Sequence, residues 1–420
     1  MGLTVDTPSG TLRGTADGGV HAWLGVPYAE PPVRFAAPQT VRPWTGVRSA
    51  DRPGPAAVQD PAPATLVPKA VPGFSEDCLT VNVWAPPDAR DLPVVVWLHG
   101  GLFQVGSASA AAYSGAALAA RGVVVVGVNY RLGAFGYLAV PGGANFGLQD
   151  QELALQWTHA HVAAFGGDPA RITLMGQSAG AYAILALATR PVRSLVQRVI
   201  LQSTPFSVDT ADRARAVQAA EVFAEAAGVA DLEGLRALPT EAVLRAQLAA
   251  TDRWRRIVPG GPPFVPFVDG DFLTTAPGAA ALSDSLAGLD VLLGVTDGEY
   301  VEGLPPQVPP RVFGDRFAAP TCELAAHLGA YCYQWRFPRH QHGVHHCAEL
   351  PYVLGNLEAF AGSPALGGTV RQRRALVEVA QHAWTGFITD GDPGWAPYTA
   401  PDWTAMAFGE DTGPVSLTIR

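Results

Sequence analysis

Gly176-Gln177-Ser178-Ala179-Gly180 places a serine between two glycines at the spacing G-x-S-x-G. In a chain with 46 glycines the pattern alone is weak, and its surroundings give it meaning. The apolar run Ile172-Thr173-Leu174-Met175 leads into the first glycine, and a helix-forming stretch begins at Ala179. Strand, sharp turn and helix in that order hold a serine hydroxyl clear of the backbone and beside a helix N-terminus. The glycines leave room for so tight a turn. The alternative is a glycine-rich packing turn. A serine hydroxyl is a poor nucleophile until a base takes its proton, and the oxyanion formed by its attack needs N–H donors.

Ten histidines compete for the role of base. The chain order serine, acid, histidine that accompanies such a turn favours the cluster His340, His342, His345 and His346. The acid then belongs just beyond a buried strand between the two. Val291 to Val295 is such a strand, and Asp297, Glu299 and Glu302 follow it. A carboxylate there would fix the imidazole tautomer and stabilise the imidazolium that forms. A zinc site built from the histidines and Cys347 is the rival reading, but the spacing matches no common structural zinc pattern. His99-Gly100-Gly101-Leu102-Phe103 also follows an apolar run directly and reads as a glycine-rich loop whose backbone N–H groups could supply those donors, with an ordinary strand-end turn as the alternative.

These residues need elements to hold them. Val94 to Leu98, Val123 to Val128, Ile172 to Met175, Val199 to Leu201, Val291 to Leu293 and Tyr331 to Phe337 are short apolar runs without alternation. Such runs mark strands buried on both faces. Helix-like stretches lie between them, at Leu148 to Ala164, Ala179 to Thr189, Arg213 to Ala227 and Val370 to Ile388. Alternation of the two predicts an α/β chain with a central, mostly parallel sheet and helices on both faces. Arg52 to Gly73 is rich in Pro and Ala, lacks a period, and reads as a long surface loop. No linker divides the chain, so residues 1–420 read as a single domain.

The formal net charge of −9 and the lack of a basic stripe argue against nucleic acid and anionic membranes as partners. Four cysteines without CxxC spacing, so few in a long chain, do not make a disulfide scaffold. The start shows no basic region leading into an apolar stretch. A cytoplasmic protein is the simplest expectation, with a processed secreted form as the alternative. Nothing in the sequence specifies an oligomeric state.

Further motifs carry a resemblance. Thr7-Pro8-Ser9-Gly10, Gly25-Val26-Pro27-Tyr28-Ala29-Glu30-Pro31-Pro32 and Glu76-Asp77-Cys78-Leu79-Thr80-Val81-Asn82 occur in order. Asn129-Tyr130-Arg131-Leu132-Gly133, Phe165-Gly166-Gly167-Asp168-Pro169, Val268-Asp269-Gly270 and Glu349-Leu350-Pro351-Tyr352-Val353 follow. Almost from end to end the chain resembles the type-B carboxylesterases, the family of cholinesterases and bacterial para-nitrobenzyl esterases. The resemblance implies the α/β-hydrolase fold and a serine esterase that cleaves small-molecule carboxylic esters through an acyl-enzyme. It implies no metal and no organic cofactor. It selects His346, three residues before Glu349, as base, and Glu299 as acid. Gly101 and Leu102 with Ala179 become the oxyanion donors, and Phe103, Gln177 and Phe264 become pocket residues. It also implies two structural ion pairs, Arg34 with Glu76 and Arg131 with Asp150.

The departures from the family are specific. Gln177 replaces the usual Glu, Leu102 a Gly or Ala, and Cys347 a Gly. Gly298 and Tyr300 replace the residues that usually flank the acid. Cys78 has no cysteine before it to pair with. The stretch from Glu299 to Tyr331 is short for the family, so a helical wall around 299–331 is expected to be cut down and the site to be open. Two alternatives remain on the same residues. One is hydrolysis of amides or carbamates, or acyl transfer to an acceptor other than water. The other is a non-catalytic binding module, which retention of Ser178 and His346 argues against.

Overall fold

The computed structural model describes residues 3–61, 67–68, 71–206, 212–229, 231–258, 261–299, 311–340 and 343–416, with backbone alone for 311–315. Glu302 and His342 lie outside the described residues.

Twelve strands follow one path through the main sheet: β1 (Leu3–Thr7), β2 (Gly10–Asp17), β3 (Val20–Pro27), β4 (Thr80–Ala85), β5 (Leu92–Leu98), β6 (Val124–Val128), β7 (Gly167–Gln177), β8 (Arg198–Gln202), β9 (Asp290–Thr296), β10 (Tyr331–Trp335), β11 (Thr404–Phe408) and β12 (Gly413–Ser416). Their order across the sheet is β1-β2-β3-β4-β6-β5-β7-β8-β9-β10-β11-β12, and the short strand Val47–Ser49 pairs with β2. From β6 through β11 every pairing is parallel. The flanking pairs are antiparallel. The architecture is α/β, as the alternation predicts, with the parallel strands at its centre.

The apolar runs are explained by what covers them. Val94, Val96 and Leu98 of β5 enter one core, and Val95 and Trp97 enter the other. Both faces of the strand are therefore dry, and no polar alternation survives. Helices α1 (Phe146–His161), α2 (Ala179–Leu187), α3 (Arg213–Ala227) and α4 (Thr240–Ile257) pack into the first core. Helix α5 (Arg311–Leu328) lends Cys322, Leu324 and Ala325 to the same face. Helix α6 (Val370–Asp390) covers the opposite one with Leu376, Ala380, Trp384, Phe387 and Ile388. It starts at a capping box, Thr369 with Gln372, and stops at Gly391, whose φ of 78° suits glycine.

One expectation is corrected. The Arg52–Gly73 stretch is not simply a surface loop. Ala56 and Ala57 pair with Phe74 and Ser75, and Ala56 through Gln59 are buried. The Gln59 amide donates to the Gly106 carbonyl at 2.9 Å and its Oε1 accepts from the Gly106 N–H at 2.8 Å. A side chain satisfying buried backbone can do the work of a strand partner, and nothing in the local composition announces it. Residues 62–66 and 69–70 lie outside the described ones.

Both implied ion pairs are present. Arg34 and Glu76 are joined through both guanidinium branches, and Arg34 Nη1 also caps the carbonyls of Leu235, Arg236 and Leu238. Arg131 and Asp150 are 3% and 0% exposed and bind in bidentate fashion at 2.8 and 2.6 Å. The Asp150 carboxylate also accepts from the Arg131 N–H at 3.0 Å, and Arg131 Nη1 reaches the Ala36 carbonyl. This pair fixes the segment after β6 to α1. Asp150→Leu would strand the Arg131 charge in the core, so we expect a loss of about 3–5 kcal/mol of stability. A lowered urea midpoint measures it, and an unchanged midpoint would refute the buried pairing.

Candidate functional site

The site forms where β5, β7, β8 and β9 end together at their carboxyl edges, where ligands of open α/β sheets bind. Strand β7 runs to Gln177, and α2 begins at Ala179. Between them Ser178 has φ 54° and ψ −122°, a conformation that L-residues adopt only when the surroundings compel it. The compulsion is visible. A Cβ on Gly180 would stand 2.0 Å from the Leu98 carbonyl oxygen, and one on Gly176 would stand 2.6 Å from the Gly180 carbonyl carbon. The Ser178 N–H is held by the Gln202 carbonyl at 2.8 Å. The serine is 6% exposed.

The loop after β5 is equally constrained. Gly101 has φ 118°, and a Cβ there would meet the Val105 carbonyl at 2.0 Å. Leu102 and Phe103 follow at φ 56° and 62°. Beneath them the buried His99 ring stacks on Tyr130, with centroids 4.4 Å apart. Burial lowers the His99 imidazole to about 4, so it stays neutral, and its Nδ1 meets the Gly100 carbonyl. Tyr130 donates to the His99 carbonyl, and the Gly133 N–H to that of Phe103. Gln104 reaches the Phe264 carbonyl, and Gln59 holds Gly106. Among the described residues, no protein acceptor is hydrogen-bonded to the N–H of Gly101, Leu102 or Ala179.

Phe103 turns inward. Its ring packs on Tyr137 and Tyr182. Leu102 projects outward and is 56% exposed. Phe264 is buried edge-on against Phe223.

Glu299 follows β9 at φ 46° and is fully buried. Its Oε1 accepts from the Ser203 hydroxyl at 2.7 Å and the Thr296 N–H at 2.6 Å. Its Oε2 meets His346 Nδ1. The neutral imidazole therefore keeps its proton on Nδ1 and turns the Nε2 lone pair toward the elbow. There it meets the Gln177 amide nitrogen at 3.1 Å. No hydrogen bond joins Ser178 Oγ to His346 among the described residues. Phe317, from α5, lies over the imidazole with centroids 5.3 Å apart.

The other sequence candidates fall elsewhere. Asp297 pairs with Arg339 at the surface. His340 touches the Pro364 carbonyl and packs against His345. Among the described residues no three His, Cys, Asp or Glu groups gather as metal ligands. Four contributors escaped the sequence reading, namely Ser203, Thr296, Gln202 and Phe317, and Glu349 entered it only as the motif residue that places His346. Ser203 had a usable signal, because it ends a buried strand as Ser178 and His99 do. The others depend on strand register and helix placement.

Burial pulls the His346 imidazole down, but the Glu299 charge and hydrogen bond, with Glu349 behind, outweigh it and leave the base raised. Glu349 is itself fully buried, with Oε1 accepting from Gln202 at 3.2 Å. Burial, then repulsion by Glu299, pushes its carboxyl up to about 7. The folded chain thus holds this proton where the unfolded chain has lost it. Stability from this group is full below the unfolded carboxyl range and falls as pH rises toward 7. Glu349→Gln should therefore unfold at a higher temperature than the parent above pH 7, with the gap closing near pH 4. Parallel melting profiles would disprove the buried proton.

Comparison with known proteins places the chain in a family. A family model described as the carboxylesterase family matches residues 2–318. The phenmedipham hydrolase of Pseudarthrobacter oxydans is 32% identical over 480 residues, spanning 98% of this chain and 96% of its own. The para-nitrobenzyl esterase of Bacillus subtilis (strain 168) is 32% identical over 448 residues, with 93% and 90% covered. A solved PNB esterase superposes with a TM-score of 0.89 at 28% identity, covering 99% of this chain and 97% of that one. The chain belongs to the type-B carboxylesterase family, has the α/β-hydrolase fold, and is a carboxylic-ester hydrolase.

Proposed function

We propose that the chain cleaves small-molecule carboxylic esters by two-step acyl transfer, with Ser178 as nucleophile, His346 as base and Glu299 as the acid that orients it. The reading rests above all on the buried Glu299–His346 contact at the mouth of the Ser178 elbow. An ester carbonyl oxygen would take the N–H groups of Gly101, Leu102 and Ala179. Ser178 Oγ then attacks the carbonyl carbon while its proton passes to His346 Nε2. Glu299 stabilises the imidazolium, which next protonates the departing alcohol. Water repeats the cycle on the acyl-enzyme and frees the acid. Preorganised donors require no rearrangement as charge develops, which supports the rate. None of these steps needs a metal or an organic cofactor.

The loop geometry suggests the substrate's shape. Phe103 is packed inward under the oxyanion loop while Leu102 stands exposed at its rim, so we read a small acyl site with room above it for a bulky alcohol group. We take Gln177 and Phe264 as neighbours of that space, and Phe103 as its support from below. A second reading, carbamate hydrolysis on the same residues, is favoured by the phenmedipham hydrolase relative. We further read the chain as one domain working in the cytoplasm. No helix among the described residues is long and apolar enough to cross a membrane.

Ser178→Ala should abolish ester hydrolysis with the fold intact, and a fluorophosphonate should label Ser178 alone. His346→Ala should lower turnover by several orders of magnitude, whereas His345→Ala should cost little. Label on another serine, or the reverse ranking of the two histidines, would refute the assignment. Among para-nitrophenyl esters, rates should fall as the acyl chain lengthens, while bulky alcohol groups with a short acyl chain should be tolerated. A clear preference for long acyl chains would overturn the pocket reading.

A further inference from the structure

The His346 lone pair is occupied in this structure, though not by the serine. Nδ1 is committed to Glu299, which leaves Nε2 as an acceptor. The Gln177 amide nitrogen lies 3.1 Å from it, and both groups are buried. The Oε1 of the same amide lies beside Gly100, 2.7 Å from where a Cβ would stand, so a bare glycine leaves the glutamine its room. Gln177 also precedes Ser178 directly, on the last residue of β7. It is thus carried by the same turn as the hydroxyl it displaces.

We propose that Gln177 is a positioning residue that caps the base in the resting enzyme, so that His346 must exchange the amide for the Ser178 hydroxyl before acylation. The inference rests on the catalytic roles proposed above for Ser178 and His346.

Three consequences follow from a neutral amide at this position. The cap competes with the serine for one lone pair, so each acylation starts by breaking a hydrogen bond. One neutral hydrogen bond corresponds to about fivefold in rate. The cap also holds the ring in the plane that Glu299 sets, so the base is oriented before the substrate arrives. Finally, the amide adds no charge to a base already facing the titratable groups Glu299, Glu349 and Cys347. A carboxylate at 177, the residue usual in the family, would accept Nε2–H and favour the imidazolium, so that the base becomes free to take the serine proton only at higher pH.

The test uses the full chain and a small fluorophosphonate, whose phosphorus Ser178 attacks with loss of fluoride. Gln177→Met keeps the length and removes the donor. It should be labelled at Ser178 about fivefold faster than the parent at a pH where the base is neutral. Gln177→Glu, nearly isosteric, should move the acidic limb of the labelling rate to higher pH by about one unit or more. Should the methionine variant fail to fold, the limb of the glutamate variant carries the test by itself. Unchanged or slower labelling of a folded Gln177→Met, or an unmoved limb in Gln177→Glu, would overturn the cap. Labelling of the parent at a residue other than Ser178 would overturn the nucleophile reading instead.

Discussion

A Cβ at Gly180 would stand 2.0 Å from the Leu98 carbonyl oxygen, so α2 lies on the carboxyl edge of β5 only through a bare backbone. That close approach sets the geometry of the whole site. It brings the first turn of α2 beside the loop that leaves β5, where Gly100 faces Ser178. It also leaves the chain between β7 and α2 a single residue in which to reverse. That residue is Ser178, at φ 54°, anchored by its own N–H to Gln202. The parallel register of β5, β7 and β8 converts one steric constraint into a cluster of polar groups at a single edge.

Backbone strain gathers at the same edge. Leu102, Phe103, Ser178, Ser203, Glu299 and Cys347 all have positive φ without being glycine. Such residues persist where the surrounding packing over-determines them. The packing here is the pair of cores on the two faces of the sheet, with Arg131–Asp150 and the Gln59–Gly106 clamp holding the segments that cross above them. Cys347 shows the arrangement well. Its thiol is buried and its φ is 71°, a conformation that glycine would adopt without strain.

Electrostatics follow from the same burial. Two carboxyls, Glu299 and Glu349, share a dry region with one imidazole and few other charges. Glu299 has its Oε1 filled by Ser203 and Thr296 and its Oε2 by His346. Glu349 has Gln202 on one oxygen, and burial together with repulsion by Glu299 lifts its carboxyl to about 7. One carboxyl lies three residues after His346 and the other comes from the end of β9, and the two face the same region with different hydrogen-bond partners.

The sequence by itself determined the parallel strands, because strands covered on both faces must be apolar throughout, and it determined the serine elbow, because only glycine tolerates the turn. Its motifs also pointed to His346, Glu299 and both ion pairs. The edge strands β1 to β3 and the strands β11 and β12 were less legible, since half-exposed residues there carry no continuous apolar run. Tertiary structure alone decided that Arg52–Gly73 contributes buried residues, that Ser203 and Thr296 satisfy Glu299, and that Phe317 covers the imidazole. It alone turned Phe103 inward and Leu102 outward, and it set the Gln177 amide on Nε2 of His346. Each of these contacts joins residues far apart in the chain, and its partners are chosen by sheet register and helix packing. No local pattern of residue types encodes that choice.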